Sequence, residues 1–244
     1  VASMDEGWTR WLLERYEFPF VNLSNEKIRD GSFANEIDTL LLPDVGRPII
    51  ESGKPDDPRR ASFWSPLPPE YDGGLGDEGG EAIARWIRDG GTAVAMDSST
   101  EYLIRLLELP VANVLDDVAG DRFSAPGTMM RILVDTEHPL GFGMRSEEAA
   151  YFAGSPAFRT RVPDARFDRH VVARYPDHRD DIPISGYVRG AELLERRAAV
   201  VEVKVGEGRV VLIGFRPQHR AQPHRTFKLL FNALFLAGLE QTEL

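Results

Sequence analysis

Apolar residues recur along this chain in two rhythms, and the change from one to the other marks out the elements. Between Trp8 and Tyr16, the residues Trp8, Trp11, Leu12 and Leu13 fall at helical spacing with charges between them. Pro19 stops that helix, and Phe20 to Leu23 reads as a short strand. Ser24, with Lys27 and Ile28 behind it, opens a second short helix that ends near Gly31. Ile37 to Leu42 is an apolar run of strand length, closed by Pro43-Asp44. Helical spacing returns over Gly76 to Asp89, with Ile83, Trp86 and Ile87 on one face and Gly90-Gly91 at the end. Thr92 to Met96 is another buried strand, and Thr100 to Leu109 a helix stopped by Pro110.

This alternation predicts an α/β fold with a doubly wound, mostly parallel sheet, because parallel neighbours need a helical crossover between them. The second half of the chain changes character. Met129 to Val134, Val171 to Tyr175 and Ala198 to Lys204 read as strands. Gly206-Glu207-Gly208 is a turn before the very apolar strand Arg209 to Phe215, which predicts an antiparallel hairpin near the C-terminus. Thr226 to Leu236 is the closing helix, with Phe227, Leu230, Phe231 and Leu234 on its buried side.

Two stretches carry neither rhythm. Gly46 to Gly76 holds six of the 17 prolines and reads as a surface insertion or lid. Arg145 to Arg169 is polar and turn-rich, with Tyr151, Phe152 and Phe158 as isolated anchors. Predicted strands of one sheet lie on both sides of each stretch, so residues 1–244 form a single domain with an insertion at about 46–76. The start, Val1-Ala2-Ser3-Met4, has neither a basic segment nor an apolar signal core and, with no initiator Met at position 1, reads as a fragment of a longer parent chain.

Composition narrows the chemistry. The 244 residues contain no cysteine, which excludes disulfides, thiolate metal sites, iron–sulfur clusters and a cysteine nucleophile. The net charge of −10 repels a phosphate backbone and argues against nucleic acid as a partner. No run of about 18 apolar residues occurs, so no membrane span is expected.

Three clusters remain as candidate chemistry. Asp97-Ser98-Ser99-Thr100 follows the strand Thr92 to Met96 and leads into a helix, the turn where α/β sheets place ligands and nucleophiles. No glycine flanks these serines, and a helix-capping role for Ser98 or Ser99 outweighs a nucleophilic one. The second cluster, Gly214 to Arg225, concentrates His219, His224, Arg216, Arg220, Arg225, Gln218 and Gln222 in a dozen residues. The spacing of its histidines and its three arginines disfavour a metal. An anion site at the following helix start and a loop tied to the acidic body stand as equal readings. The third cluster is Asp135 with His138, a candidate acid–base pair without a local nucleophile.

In order, these motifs resemble a known family. Leu40-Leu41-Leu42-Pro43-Asp44, the unit Ile83 to Met96 with Arg88-Asp89-Gly90-Gly91-Thr92, and Gly208 to Phe215 followed by Arg216-Pro217-Gln218 resemble class I glutamine amidotransferase-like domains, from Thr9 to about Gly238. The resemblance implies a flavodoxin-like or amidotransferase-like sheet and a Cys–His–Glu triad. Here the elbow offers Ser98 or Ser99, the His position holds Arg216 and the Glu position holds Gln218. A guanidinium stays protonated and cannot act as a base, so amidotransferase chemistry is not expected.

Gly214 to Arg220 with Thr226 to Leu234, together with Pro69 to Gly76 and Asp135 to Gly143, further resemble the degenerate amidotransferase-like domain at the C-terminus of bacterial zinc carboxypeptidase-like proteins. That resemblance implies a periplasmic or secreted parent whose upstream peptidase domain is the partner and holds any zinc. The chain itself has no H-x-x-E motif, and neither cofactor nor metal is expected in it. The expected role is a non-catalytic accessory domain that binds a peptide or carboxylate, or makes an interdomain or homo-oligomer contact. Its candidate ligand residues are Ser98, Ser99, Arg216, His219, Arg220 and His224. The rival expectation is a serine hydrolase with Ser98 or Ser99 as nucleophile and His219 as base.

Overall fold

The computed structural model describes residues 3–62, 68–162 and 167–239. Its first helix, α1 (Met4–Arg15), starts at Ser3, whose hydroxyl accepts the Glu6 N–H. Asp5 and Glu6 sit at the positive end of the helix and Arg15 at the negative end. Leu12 and Leu13 are buried, whereas Trp11 is 44% exposed. Phe20 to Leu23 forms no strand. Phe20 and Val21 stay exposed, so the run has neither a core nor a ladder to order it. Ser24 caps α2 (Asn25–Arg29) through the Lys27 N–H.

The strand β1 (Thr39–Leu42) leads into the Pro/Gly-rich stretch. That stretch begins with α3 (Arg47–Ser52) and α4 (Pro58–Ala61), and residues 63–67 of it lie outside the described part. Its return is fastened to its own start: the Leu75 N–H donates to Ile50 O of α3 at 2.8 Å. Gly74 there has φ +63 and lies so close to α3 that a Cβ would stand 2.5 Å from Glu51 O.

Helix α5 (Gly76–Arg88), strand β2 (Thr92–Met96) and helix α6 (Thr100–Leu106) follow. α6 ends before Pro110 takes effect. Glu108 adopts φ +50 and the Leu109 N–H bonds back to Ile104 O at 3.0 Å, a left-handed cap that closes the helix from within. Then come β3 (Val111–Asn113), β4 (Thr128–Val134), β5 (Glu147–Phe152), β6 (Phe158–Thr160), β7 (Asp168–Arg174), β8 (Pro183–Gly186), β9 (Ala198–Val205), β10 (Gly208–Ile213) and α7 (Phe227–Ala237). β5 and β6 occupy the stretch that carried no rhythm. In β5 the inward residues are Glu148, Ala150 and Phe152, so a carboxylate and a methyl group stand where an apolar signal would be read.

These strands form one sheet with the main order β1-β2-β10-β9-β7-β4-β5. Parallel pairing runs through β1, β2 and β10, with Leu41 and Val211 on either side of Val94. The predicted hairpin joins β9 and β10, with Gly208 opposite Val205. Antiparallel pairing continues beyond it, from β9 to β7, β7 to β4, and β4 to β5 and β8. The α/β class and the doubly wound centre therefore hold, while the antiparallel part is larger than the one hairpin expected. Helical crossovers impose parallel pairing only where helices connect the strands, and they do so in the first half of the chain.

Alternate residues of the central strands feed two cores. Val94, Met96, Val211 and Ile213 pack with Leu12 of α1 and with Phe227 and Leu230 of α7. Ala93, Ala95, Val210 and Leu212 face Ile83 and Ile87 of α5 and Leu103 of α6. Both faces are thus covered, and the carboxyl ends of β1, β2 and β10 point together at one edge.

Candidate functional site

At the end of β2 the chain turns sharply with Asp97 at φ 53. A non-glycine residue in the left-handed region between strand and helix is the geometry of a nucleophile elbow. Aspartate tolerates that region better than most residues. The elbow position is therefore Asp97, not Ser98 or Ser99.

Ser99 is fully buried. Its hydroxyl oxygen accepts the Met96 N–H at 3.0 Å and lies 2.7 Å from Leu42 O and 2.8 Å from Met96 O. It fastens the turn backward to β1 and β2 and makes no cap bond to α6. Ser99→Ala removes the acceptor of a buried N–H, and about 1–3 kcal/mol of stability is expected to be lost in urea unfolding. Ser98 donates its hydroxyl to Asp97 Oδ1 at 3.2 Å, and its backbone N–H to Asp44 Oδ1 at 3.2 Å.

Arg216, at the end of β10, enters the crevice between these turns. Its Nη2 lies 2.6 Å from Asp44 Oδ2, and its Nε lies 3.5 Å from Asp97 Oδ2 and 3.9 Å from Asp5 Oδ2. Three carboxylates thus surround one guanidinium. Asp97, 1% exposed, also accepts a hydrogen bond from the Ser155 hydroxyl. Burial pushes the Asp97 carboxyl up to about 7, repulsion from Asp44 adds to this, and Ser155, Arg216 and Ser98 pull the other way. Asp5 is raised for the same first reason, with Arg216 opposing. Burial works against the charge on Arg216, and Asp44, Asp97 and Asp5 more than offset it.

Helix α1 lies over this network. Gln218, buried, donates its amide N–H to Thr9 Oγ1 at 2.9 Å and to Asp5 O at 3.4 Å. The Ser3 hydroxyl donates to Asp44 O at 3.0 Å. Thr226 Oγ1 lies 2.7 Å from Pro217 O and 2.9 Å from Pro223 O, which pins the loop before α7.

The dense Arg/His cluster does not converge on one point. Arg216 turns inward to the carboxylates, Arg225 pairs with the buried Glu148 at 3.5 Å, and Arg220 is exposed with φ 47. Tying the loop to the acidic body therefore describes Arg216 and Arg225. His219 stacks on Tyr151 with ring centroids 3.8 Å apart, and its pKa is lowered by burial first and then by Arg216 and Arg220. Among the described residues its ring bonds to neither Ser98 nor Ser99. His224 packs instead against Phe227, with centroids 5.2 Å apart.

The side chains of Asp135 and His138 do not pair with each other. Asp135 Oδ2 lies 2.7 Å from His170 Nε2, and His138 Nε2 lies 3.2 Å from Glu202. His138 Nδ1 accepts the Leu140 N–H at 3.2 Å, which assigns its proton to Nε2. The two imidazoles stack 4.4 Å apart. Strand register brings His170 opposite Glu202, and no local spacing encodes that pairing.

Sequence reasoning passed over Asp5, Asp44, Asp97 and Ser155 as site residues. Asp97 did carry a signal, since it directly follows a strand whose residues are all buried. Asp5 and Ser155 reach the crevice from α1 and the loop after β5, and nothing local marks them.

No protein-family model and no curated protein matches this chain. Solved structures do. The cytoplasmic protein STM1381 from Salmonella typhimurium superposes with a TM-score of 0.56 at 14% identity, over 96% of this chain and 88% of that one. The cytoplasmic protein STM3548 from Salmonella typhimurium gives 0.55 at 15% identity, over 96% and 87%. A ThuA-like protein from Bacteroides uniformis gives 0.52 at 10% identity, over 95% and 82%. The fold is amidotransferase-like. At these identities the likeness is one of architecture, and the chemistry has to be read from the crevice.

Proposed function

We propose that this chain is a non-catalytic, amidotransferase-like accessory domain. The observation that supports this reading is the ion cluster at the elbow, where Arg216 sits among Asp44, Asp97 and Asp5 beneath α1. Hydrolysis through an acyl-enzyme needs a nucleophile with a base in hydrogen-bond reach. Ser99 is committed to the backbone, the Asp97 carboxyl that accepts from Ser98 is already engaged by Ser155 and Arg216, and His219 stacks on Tyr151. The same cluster weakens the case for a carboxylate ligand on Arg216, since an incoming anion would have to displace Asp44 and enter a site with two further carboxylates. Contact with another domain or subunit is the stronger form of the accessory role. By the sequence resemblance that partner is a zinc carboxypeptidase-like domain of the same parent, in a periplasmic or secreted setting.

Two measurements test this. Folded protein is expected to show no fluorophosphonate labelling and no turnover of glutamine or simple esters. Labelling abolished by Ser98→Ala, or turnover abolished by Asp97→Asn, would overturn the non-catalytic reading. An upstream reading frame with an H-x-x-E motif supports the parent assignment, and a full-length frame without one removes it.

A further inference from the structure

A second site lies outside the crevice, where the end of α1 meets the start of α7. Trp11, Arg15 and Tyr16 on one side and His224 and Phe227 on the other line a recess of about 540 Å³. That is within the size range of small-molecule sites, about 300–1,000 Å³. Phe227 is buried and forms the floor, while Trp11 and Tyr16 stand 44% and 49% exposed as walls. Tyr16 meets Phe227 edge-on, with centroids 6.3 Å apart.

The lining contains four rings and one guanidinium and no carboxylate, in a chain whose net charge is −10. Among the described residues the Arg15 guanidinium forms no ion pair or hydrogen bond, and the His224 ring forms neither and meets one other ring, that of Phe227. A basic residue in the last turn of α1 complements the helix dipole. That role explains neither the unpaired guanidinium nor the aromatic walls around it.

We propose that this recess binds a planar aromatic ring carrying an anionic group, an aryl carboxylate being the simplest member of the class. The ring stacks or packs edge-on against Trp11 and Tyr16 over Phe227. The fork of Arg15 receives both oxygens of the anion, and a ring N–H of His224 donates from the opposite rim. The site is independent of the crevice and of the accessory role.

Calorimetric titration with 4-nitrobenzoate and with the uncharged 4-nitrobenzamide tests it. Saturable heat is expected with the benzoate, and about tenfold weaker binding of the amide, the size of a charge-assisted hydrogen bond. Arg15→Gln should weaken the benzoate about tenfold and leave the amide unchanged. Trp11→Ala should weaken both. The Arg15 side chain is exposed, so thermal unfolding of Arg15→Gln should match the wild type, whereas Trp11→Ala also loses its edge contact with Trp8 and is titrated at a temperature where it is folded. No saturable heat with the benzoate, or undiminished benzoate binding by Arg15→Gln, overturns the proposal. Ser98→Ala, which alters the crevice and not the recess, should bind the benzoate normally. A loss there would place the ligand in the crevice and overturn the assignment.

Discussion

Replacing Arg216 by methionine is expected to cost about 3–5 kcal/mol of stability at pH 8, the range found when one partner of a buried ion pair is removed. Methionine keeps much of the apolar stem and removes the charge. Asp44 loses its 2.6 Å partner, and Asp97 and Asp5 lose the cation that offsets their burial. The carboxyls respond by holding protons more tightly. The deficit should therefore be largest at pH 8, where they must ionise, and smaller at pH 5. Urea unfolding at the two pH values measures this. A uniform loss of less than about 1 kcal/mol, the worth of an exposed ion pair, would show that the cluster is solvated and not structural. Adding Asp97→Asn to Arg216→Met should recover part of the loss, because the two residues share one network.

Asp97→Asn alone is expected to stabilise the protein above neutral pH and to flatten its pH dependence. The Asp97 carboxyl titrates at about 7 when folded and near 3.8 otherwise. Between those values the folded state holds a proton that the unfolded chain has released. The stabilisation linked to that proton is fully present below about pH 4, falls as pH rises, and is gone above about 7. At about 1.4 kcal/mol per unit, the span is at most about 4 kcal/mol. Asn cannot ionise, and it tolerates the left-handed conformation at φ 53 as well as aspartate does. The gain should appear at pH 8 and vanish near pH 4. Asp5 is raised by the same cause, so a reduced slope remains in the variant. Identical slopes for variant and wild type between pH 4 and 7 would show that Asp97 is ionised in the folded protein throughout.

The first prediction rests on a residue that the sequence singles out, Arg216, whose partners it does not reveal, and the second on Asp97, which it does not mark as a site residue. The order of strands and helices in the first half was legible because each element has its own period. The all-buried strand Thr92 to Met96 and the amphipathic Gly76 to Arg88 both appear where their patterns place them. β5 was not legible, because its inward residues are Glu148, Ala150 and Phe152 and the first two do not read as core. The strand expected at Phe20 was a false signal for the converse reason: the apolar residues are present, but no sheet edge receives them.

The candidate site divides the same way. Arg216 and Gln218 were found from the order of motifs around a very apolar last strand, and both lie in the crevice. Their partners were not found. Asp5, Asp44, Asp97 and Ser155 are separated by tens to more than a hundred residues, and only the packing of α1 and of the loop after β5 against the ends of β1, β2 and β10 brings them together.

The sequence by itself determined the α/β class, the two-faced central strands and the absence of any thiol chemistry, because these depend on local period and composition. Tertiary structure alone decided which residue takes the elbow, which carboxylates share Arg216, and that His138 and His170 stack. Those outcomes follow from strand order and register, which set contacts between residues far apart in the chain and leave no trace in the spacing of either partner.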